Sequence, residues 1–494
     1  MPEKSVKEQG FSKWLFLIII SGIMWALAFP PFPLGFLAFF MLIFLWNAIE
    51  QVNKWSDAVK LGYIWGLIAS FGVLWWIFIP TIPGMIMLVL FLPLYSTLYC
   101  LLHYVIARRH PQIAVLVAPI LFVGIEFIRS YGKLGFPWMN LSYTMTKYPV
   151  LIQFADIVGS FGISFWIVAI NVCVYFLLIH PFRWKFWVSG IAMLILLFGA
   201  YGYGTYKMRK NIDGAPMKIA LLQGNIDPYQ KWTAQMRTVN VRTYTRMINS
   251  IGSDVDLCIL PETATACYYR RSKSMFLPLV NAVCEIGIPT LMGTIDYDDN
   301  NRQKYFNSAI LVMPDGSYEQ KYNKIQLVPF SEYIPLQDRF TSLRKLNFGG
   351  SHFTAGDKFT VFHIDGAKFS VLICYESIFG WLAKEFRSRG AHFLVNITND
   401  GWFGETPGPY QHAMFNVMRA IENRCWIARC ANTGISMFID PRGTITRKTQ
   451  LFQQAILIEE INLTQVETIY HKIGDIFGWG SLVLMPIIVW RWRK

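Results

Sequence analysis

The chain has 494 residues, too many for one ordinary domain, and is 54% hydrophobic but only 15% charged. Soluble proteins carry roughly a quarter charged residues, so a uniformly soluble chain is excluded. The net charge of +14 does not mark a nucleic-acid binder, because the basic residues form no patch interleaved with aromatics in the more polar part of the chain.

Residues 1–206 are dominated by Leu, Ile, Phe and Trp, in runs long enough for helices of ~20 residues to cross a bilayer core of ~30 Å. Seven transmembrane helices are predicted, at 12–30, 33–49, 61–80, 84–107, 112–129, 161–180 and 184–204. An eighth is predicted at 474–491. The Ala-x-Ala end of the first span, in WALAFP, also fits a cleaved signal peptide, but a second apolar run comes at once and favours an uncleaved anchor. Lys4, Lys7, Lys13, Lys54, Lys60, Arg108, Arg109, Arg183, Lys185, Arg491, Arg493 and Lys494 fall on one side if every span crosses, whereas the opposite loops FPPFP and PTIPG carry no Lys or Arg. The positive-inside bias then predicts cytoplasmic termini and an extracytoplasmic domain over 207–470, with 471–494 carrying the eighth helix and a cytoplasmic tail. These flanking cations, which suit an anionic leaflet, account for much of the net charge.

Residues 207–470 read as a globular domain, entered through the linker-like KNIDGAP at 210–216. Strands are predicted at MKIALLQGNI, LCILPETA, PTLMGTIDY, NSAILVMPDG, FTVFHI, FSVLIC, HFLVNIT, RCWIARCA and ISMFIDPRG. Helical periodicity marks 234–250, 274–286, 378–389 and 410–424. Alternating β and α segments with continuous apolar strands predict an α/β layered fold whose sheets are covered on both faces. Of the eight cysteines, Cys100 and Cys173 lie in spans, and the rest show no C-x-x-C pair or zinc spacing. No metal is expected. Cys374 is expected to be a free thiol, and pairing of the others is left open.

Glu262 comes after an apolar strand in LCILPETA, Lys324 precedes an apolar stretch in YNKIQLVPFSEYIP, where Glu332 comes after a turn, and Cys374 ends the strand of FSVLICYES. Strand ends are where α/β sheets place chemistry. A carboxylate can take a thiol proton, a cation lowers a thiol pKa, and a lysine with a backbone N–H can hold an oxyanion. Read singly, each residue also has an ordinary role: a helix cap for Glu262, a solvated charge for Lys324, a turn carboxylate for Glu332, a buried thiol for Cys374. Spacing alone does not bring them together.

In their contexts and order, LPETA, YNKIQLVPFSEYIP and ICYES, with LVNITNDGWFG at 394–404 and the stretch at 408–436, resemble the nitrilase, or carbon–nitrogen hydrolase, superfamily. Its fold is a four-layer αββα sandwich with a Glu-Lys-Cys triad. With the membrane spans, FPPFPLG, GFPWMNLSYT and QGNIDPYQKW, the whole chain is similar to the bacterial apolipoprotein N-acyltransferases of the inner membrane. One departure is Ser331, where that family usually has Gly; a local backbone effect is expected.

The resemblance implies that Glu262, Lys324 and Cys374 are catalytic, with Glu332 positioning Lys324 and Tyr375 and Glu376 supporting the site. Trp232, Asn307, Trp402 and Phe403 are implied as substrate-lining residues. It further implies ping-pong transfer of the sn-1 acyl chain of a phospholipid, typically phosphatidylethanolamine, through a Cys374 thioester. The acceptor is the α-amine of the diacylglyceryl-cysteine of an apolipoprotein, and no cofactor is required. GFPWMNLSYT and the loop around Trp402 are expected at a lipid-facing rim. Two alternatives stand beside this one. A membrane-anchored amidase or nitrilase-type hydrolase would need only one span. A transporter with a degenerate nitrilase module would need charge inside its spans, for which Glu126 is the clear acidic candidate in sequence.

Overall fold

A computed structural model describes residues 2–179, 181–268, 270, 272–298, 301, 304–318, 320–335 and 352–493. The chain forms two compact units, Met1–Arg209 with Ile473–Lys494, and Lys210–Lys472.

The first unit is helical: α1 (Pro2–Ala28), α2 (Met41–Glu50), α3 (Trp55–Leu74), α4 (Ile82–Phe91), α5 (Pro93–Ala107), α6 (Pro111–Leu116), α7 (Ala118–Ser130), α8 (Ala155–Ile179), α9 (Trp184–Met208) and a last helix at Ile476–Trp492. Among the described residues four helical stretches are long and apolar enough to cross a membrane: Trp55–Phe78, Ile82–Ala107, Ala155–Ile179 and Trp184–Met208. Ser12–Ala28, Gly35–Glu50 and Ile476–Trp492 are apolar but shorter, and the run predicted at 112–129 is divided between α6 and α7. Glu126 is not the lone acidic group within these helices. It lies 3.8 Å from Arg129, while Asp156, buried in α8, pairs with Lys207 at 2.8 Å.

The stretch GFPWMNLSYT departs from the expected lipid-facing rim. It winds into short 3-10 turns at Pro137–Met139 and Leu141–Met145, and Trp138, Met139, Leu141 and Tyr143 are buried. Its backbone is held from within the unit, Leu141 N–H donating to Glu126 at 2.5 Å and Ser142 N–H to Ser164 at 3.0 Å.

The second unit is an α/β sandwich. Its first sheet has the order β12-β1-β2-β3-β4-β5, from β1 (Ala215–Gln223), β2 (Leu257–Ile259), β3 (Thr290–Tyr297), β4 (Tyr305–Val312), β5 (Lys321–Asn323) and β12 (Ala455–Leu463). The second has the order β11-β10-β9-β8-β7-β6, from β6 (Phe362–Ile364), β7 (Ala367–Ile373), β8 (Phe393–Thr398), β9 (Ile427–Ala431), β10 (Met437–Ile439) and β11 (Ile445–Lys448). Each sheet has a parallel centre, β1-β2-β3 and β7-β8-β9, flanked by antiparallel strands. Buried on both faces, the central strands need no polar alternation, hence runs such as FLVNIT and IARCA.

The sheets face one another: the Cys430 thiol of β9 lies 3.2 Å from the Ile259 carbonyl and 3.6 Å from that of Leu222. Helices α10 (Ala234–Asn249) and α11 (Lys273–Ile286) cover the first sheet, Val241, Tyr244, Leu279 and Val283 packing on Ala220, Leu222, Met292 and Ile310. Helices α12 (Gly380–Ser388) and α13 (Pro407–Asn423) belong to the second sheet, where Asn416 donates to Asn396 of β8 at 3.2 Å. β1 starts inside the KNIDGAP stretch, Ala215 pairing with Leu463, so the linker is shorter than the sequence implies. All eight cysteines are free thiols, Cys284 alone being exposed.

Candidate functional site

The loops that leave β2, β5 and β7 meet at one place. β2 runs into Pro261 and a tight turn in which Thr263 (φ 45°) and Ala266 (φ 52°) are left-handed. Glu262 opens this turn, and the turn presses on β3, where Ala264 N–H donates to the Gly293 carbonyl at 3.0 Å. A side chain at Gly293 would meet the Glu262 Cα and the Pro261 oxygen at 2.6 Å each, so only glycine lets the strand approach this closely.

Lys324 comes directly after β5, with its N–H donating to the Asn307 carbonyl of β4 at 2.8 Å. Its ammonium is buried and lies 2.9 Å from Glu332 and 3.9 Å from Glu262. The Asn307 amide joins the two carboxylates, donating to Glu262 at 2.7 Å and to Glu332 at 3.1 Å. Glu332 also accepts the Val328 N–H at 2.8 Å. Burial alone pulls the Lys324 ammonium down, but Glu332, Glu262 and Cys374 outweigh it and the net shift is upward. The lysine is therefore a fixed cation. The left-handed residue in its loop is Phe330 (φ 61°) and not Ser331, so the local backbone effect expected at Ser331 does not arise.

Cys374 comes directly after β7 and opens a 3-10 turn, Cys374–Ile378. It is left-handed (φ 52°), a conformation that costs a non-glycine residue about 1 kcal/mol or more and that clusters at functional sites. Burial pushes its thiol well up, Glu262 adds to the rise, and Lys324 opposes it. The sulfur therefore rests as a thiol, with the Glu262 carboxyl and the Lys324 ammonium close enough to act on it.

Glu376 fastens the cysteine turn to the lysine loop. One of its oxygens accepts from Tyr322 O–H and Ile325 N–H at 2.7 Å and from Gln326 N–H at 3.0 Å. The other accepts Ile373 N–H at 2.7 Å. Burial pushes its carboxyl up to about 7 against the pull of these donors and of Lys324.

The carbon-nitrogen hydrolase family pattern matches residues 218–470, and the apolipoprotein N-acyltransferase N-terminal domain matches residues 21–173. The apolipoprotein N-acyltransferase of Geobacter metallireducens is 34% identical, over 96% of this chain and 94% of that one. The chain belongs to the apolipoprotein N-acyltransferase family. The Chlorobaculum tepidum member is 31% identical over 94% of both chains. Among solved structures, Saccharomyces cerevisiae Nit3 of the nitrilase superfamily matches with a TM-score of 0.41 at 21% identity, over 53% of this chain and 95% of that one.

The other residues expected in this N-acyltransferase family site differ in their surroundings. Asn307 is buried and is occupied between the two carboxylates rather than lining open space. Tyr375 is buried with its ring 5.2 Å from Phe379. Trp232 is half-buried, 5.8 Å from the Lys231 ammonium. Trp402 is half-buried edge-on to Tyr229 at 5.1 Å, and Phe403 is half-buried 6.4 Å from His412.

Two features of the site have no counterpart among the residues expected from sequence. Lys231, 1% exposed, donates to the Thr263 hydroxyl at 2.8 Å and reaches within 3.5 Å of the Glu262 carbonyl. Burial pulls its ammonium down to about 8, with Glu262 opposing. The second is a buried chain behind Cys374, in which Arg429 donates to Asp400 at 2.5 Å and Asp400 lies 2.8 Å from His412. Burial pushes the Asp400 carboxyl up, but Arg429 and His412 overcome it and hold it at about 2. Its signal in sequence is Arg429 in the middle of the apolar strand IARCA, since a buried cation requires a partner. Among the described residues no cluster of His, Cys, Asp and Glu forms a metal site.

Proposed function

We propose that the chain carries out the N-acylation step of lipoprotein maturation by a ping-pong mechanism on the Glu262-Lys324-Cys374 triad. As the Cys374 sulfur attacks the sn-1 ester carbonyl of a phospholipid, typically phosphatidylethanolamine, its proton passes to Glu262. The negative charge that develops on the carbonyl oxygen is met by the Lys324 ammonium and the Tyr375 N–H. Collapse breaks the ester C–O bond, the proton returns from Glu262 to the leaving alkoxide, and a lysophospholipid departs. The acyl chain remains as a thioester. The α-amine of the apolipoprotein's diacylglyceryl-cysteine then attacks that thioester and gives its proton to Glu262, which returns it to the departing thiolate.

The observation that carries this reading is the buried pairing of Lys324 with both Glu262 and Glu332 beside a left-handed cysteine, in a chain that also matches the N-terminal domain of the family. Because burial raises the Cys374 thiol, this reading requires its proton to be removed during attack, which is the task assigned to Glu262. In the same reading all eight apolar stretches cross the inner membrane, both termini are cytoplasmic, residues 207–470 are periplasmic, and Trp232, Trp402 and Phe403 line the way to the sulfur. The hydrolase alternative is not favoured, because the relatives that match along nearly the whole chain are N-acyltransferases.

The test is peptide mass spectrometry after incubation with phosphatidylethanolamine micelles. An acyl adduct on Cys374, released by hydroxylamine and discharged by a diacylated lipopeptide, is expected. Transfer that proceeds without that adduct, or in Cys374→Ala, overturns the mechanism. Adduct decay to free fatty acid in the presence of lipopeptide would replace transfer with hydrolysis.

A further inference from the structure

The buried chain behind the nucleophile ends on the nucleophile's own carbonyl. His412 Nε2 lies 3.1 Å from the Cys374 oxygen and 3.2 Å from Ser377 Oγ, and the Ser377 hydroxyl donates to that same oxygen at 3.1 Å. On its other side His412 Nδ1 lies 2.8 Å from Asp400. A carbonyl and a carboxylate both accept, so each ring nitrogen faces an acceptor. Asp400 is itself held by Arg429 at 2.5 Å and by the Thr398 hydroxyl at 3.0 Å. His412, Asp400 and Arg429 are each buried to within 1%, which fixes the imidazole with little freedom to turn.

Peptide planarity carries this geometry across to the next residue. In a trans peptide the C=O of one residue and the N–H of the next point in opposite directions. Holding the Cys374 carbonyl toward His412 and Ser377 therefore aims the Tyr375 N–H the opposite way. A left-handed Cys374 (φ 52°) would otherwise relax by rotating this peptide. On the strand side, the peptide between Leu372 and Ile373 is pinned by Ile373 N–H donating to Glu376, so the chain is held before the sulfur as well as after it.

We infer that His412, braced by Asp400 and Arg429, is a positioning residue that aims the Tyr375 N–H at the developing oxyanion. This rests on the reading in which Cys374 is the nucleophile. Glu262 handles the proton on one side of the cysteine, and His412 orients the peptide on the other.

The test compares two reactions of the same sulfur in the full-length protein. Acylation by phosphatidylethanolamine micelles passes through an oxyanion, whereas alkylation by iodoacetamide is a displacement at carbon and forms none. Both are read at the Cys374 peptide by mass spectrometry, which separates it from the exposed Cys284. His412→Leu is expected to slow acylation about 10- to 100-fold, approaching the loss of one oxyanion donor, with alkylation within about twofold of the parent protein. His412→Gln, which keeps an N–H donor near the same point, is expected to recover most of the acylation rate. In either variant Asp400 keeps Arg429 and Thr398, so no buried charge is abandoned. Acylation and alkylation falling together would show a displaced thiol, and acylation unchanged in His412→Leu would show an idle histidine; either result overturns the inference. Failure of the parent protein to acylate at Cys374 would instead overturn the reading on which it rests.

Discussion

Lys231→Met removes a cation that the fold buries at a cost. The parent ammonium drops from an ordinary value of 10.5 to about 8, which corresponds to about 3 kcal/mol of folding free energy. The sign is fixed by which state holds the proton more tightly. The unfolded chain does, so the cost is complete below about pH 8 and fades as pH rises toward 10.5. Methionine has similar length and no charge, so the variant is expected to be more stable near neutral pH, by up to about 3 kcal/mol, with the gain shrinking near pH 10. Activity is expected to move the other way. Without the ammonium, the Thr263 hydroxyl and the strained turn bearing Glu262 lose a contact of 2.8 Å, and a small displacement of the proposed base would cost about 10- to 100-fold in rate. Thermal unfolding of parent and variant in one detergent, at neutral and alkaline pH, gives the first quantity, and acyl transfer gives the second. A variant that gains no stability, or whose gain is the same at both pH values, would refute the burial argument. A variant with full activity would refute the positioning argument.

Gly293→Ala is expected to push the Glu262 turn away from β3, given the 2.6 Å contacts an added Cβ would make. Transfer should fall about 100-fold with little change in iodoacetamide alkylation of Cys374. Asp400→Asn leaves Arg429 and His412 without their carboxylate and should lower stability by about 3–5 kcal/mol near neutral pH. Because the parent carboxyl is held at about 2 against an ordinary 3.8, its contribution is present above about pH 4 and is lost as pH falls through about 2. The difference between parent and variant unfolding midpoints should narrow over that window. Glu376→Gln replaces one accepting oxygen with a donating amide that must face Ile373 N–H or the Tyr322 side. An unfolding shift of about 1–3 kcal/mol is expected, with slower acylation measured at the Cys374 peptide.

The central strands are legible because each is a continuous apolar, β-branched run bounded by turn residues, as in FSVLIC and HFLVNIT. The strands that sequence does not reveal are edges. β5 has only three residues, while β11 (ITRK) and β12 (AILIEEINL) are largely half-exposed or exposed, and an edge strand needs neither an apolar run nor strict alternation. The site is legible where a polar residue interrupts an apolar strand end, as at Glu262 and Cys374, and its assembly is not, because no spacing encodes which strand ends become neighbours. Lys231 is inconspicuous beside Trp232, since lysine is rarely buried. GFPWMNLSYT misleads for a related reason: tryptophan and tyrosine serve interfaces and interiors alike, and only a partner such as Glu126 decides between them.

The carboxylate of Glu376 takes four donors, three from residues 322–326 and one from the residue before Cys374. Lysine loop and cysteine turn are thereby one solid piece, in which ammonium and sulfur keep their separation whatever is attached to the sulfur. In the proposed cycle two unlike electrophiles, an oxygen ester and then a thioester, are attacked at that piece by two unlike nucleophiles. A single charge-stabilising geometry can serve both halves, so the accommodation of a headgroup, then an acyl tail, then a peptide amine falls to the surroundings, and evolution of new donor preferences can proceed there without retuning the chemistry.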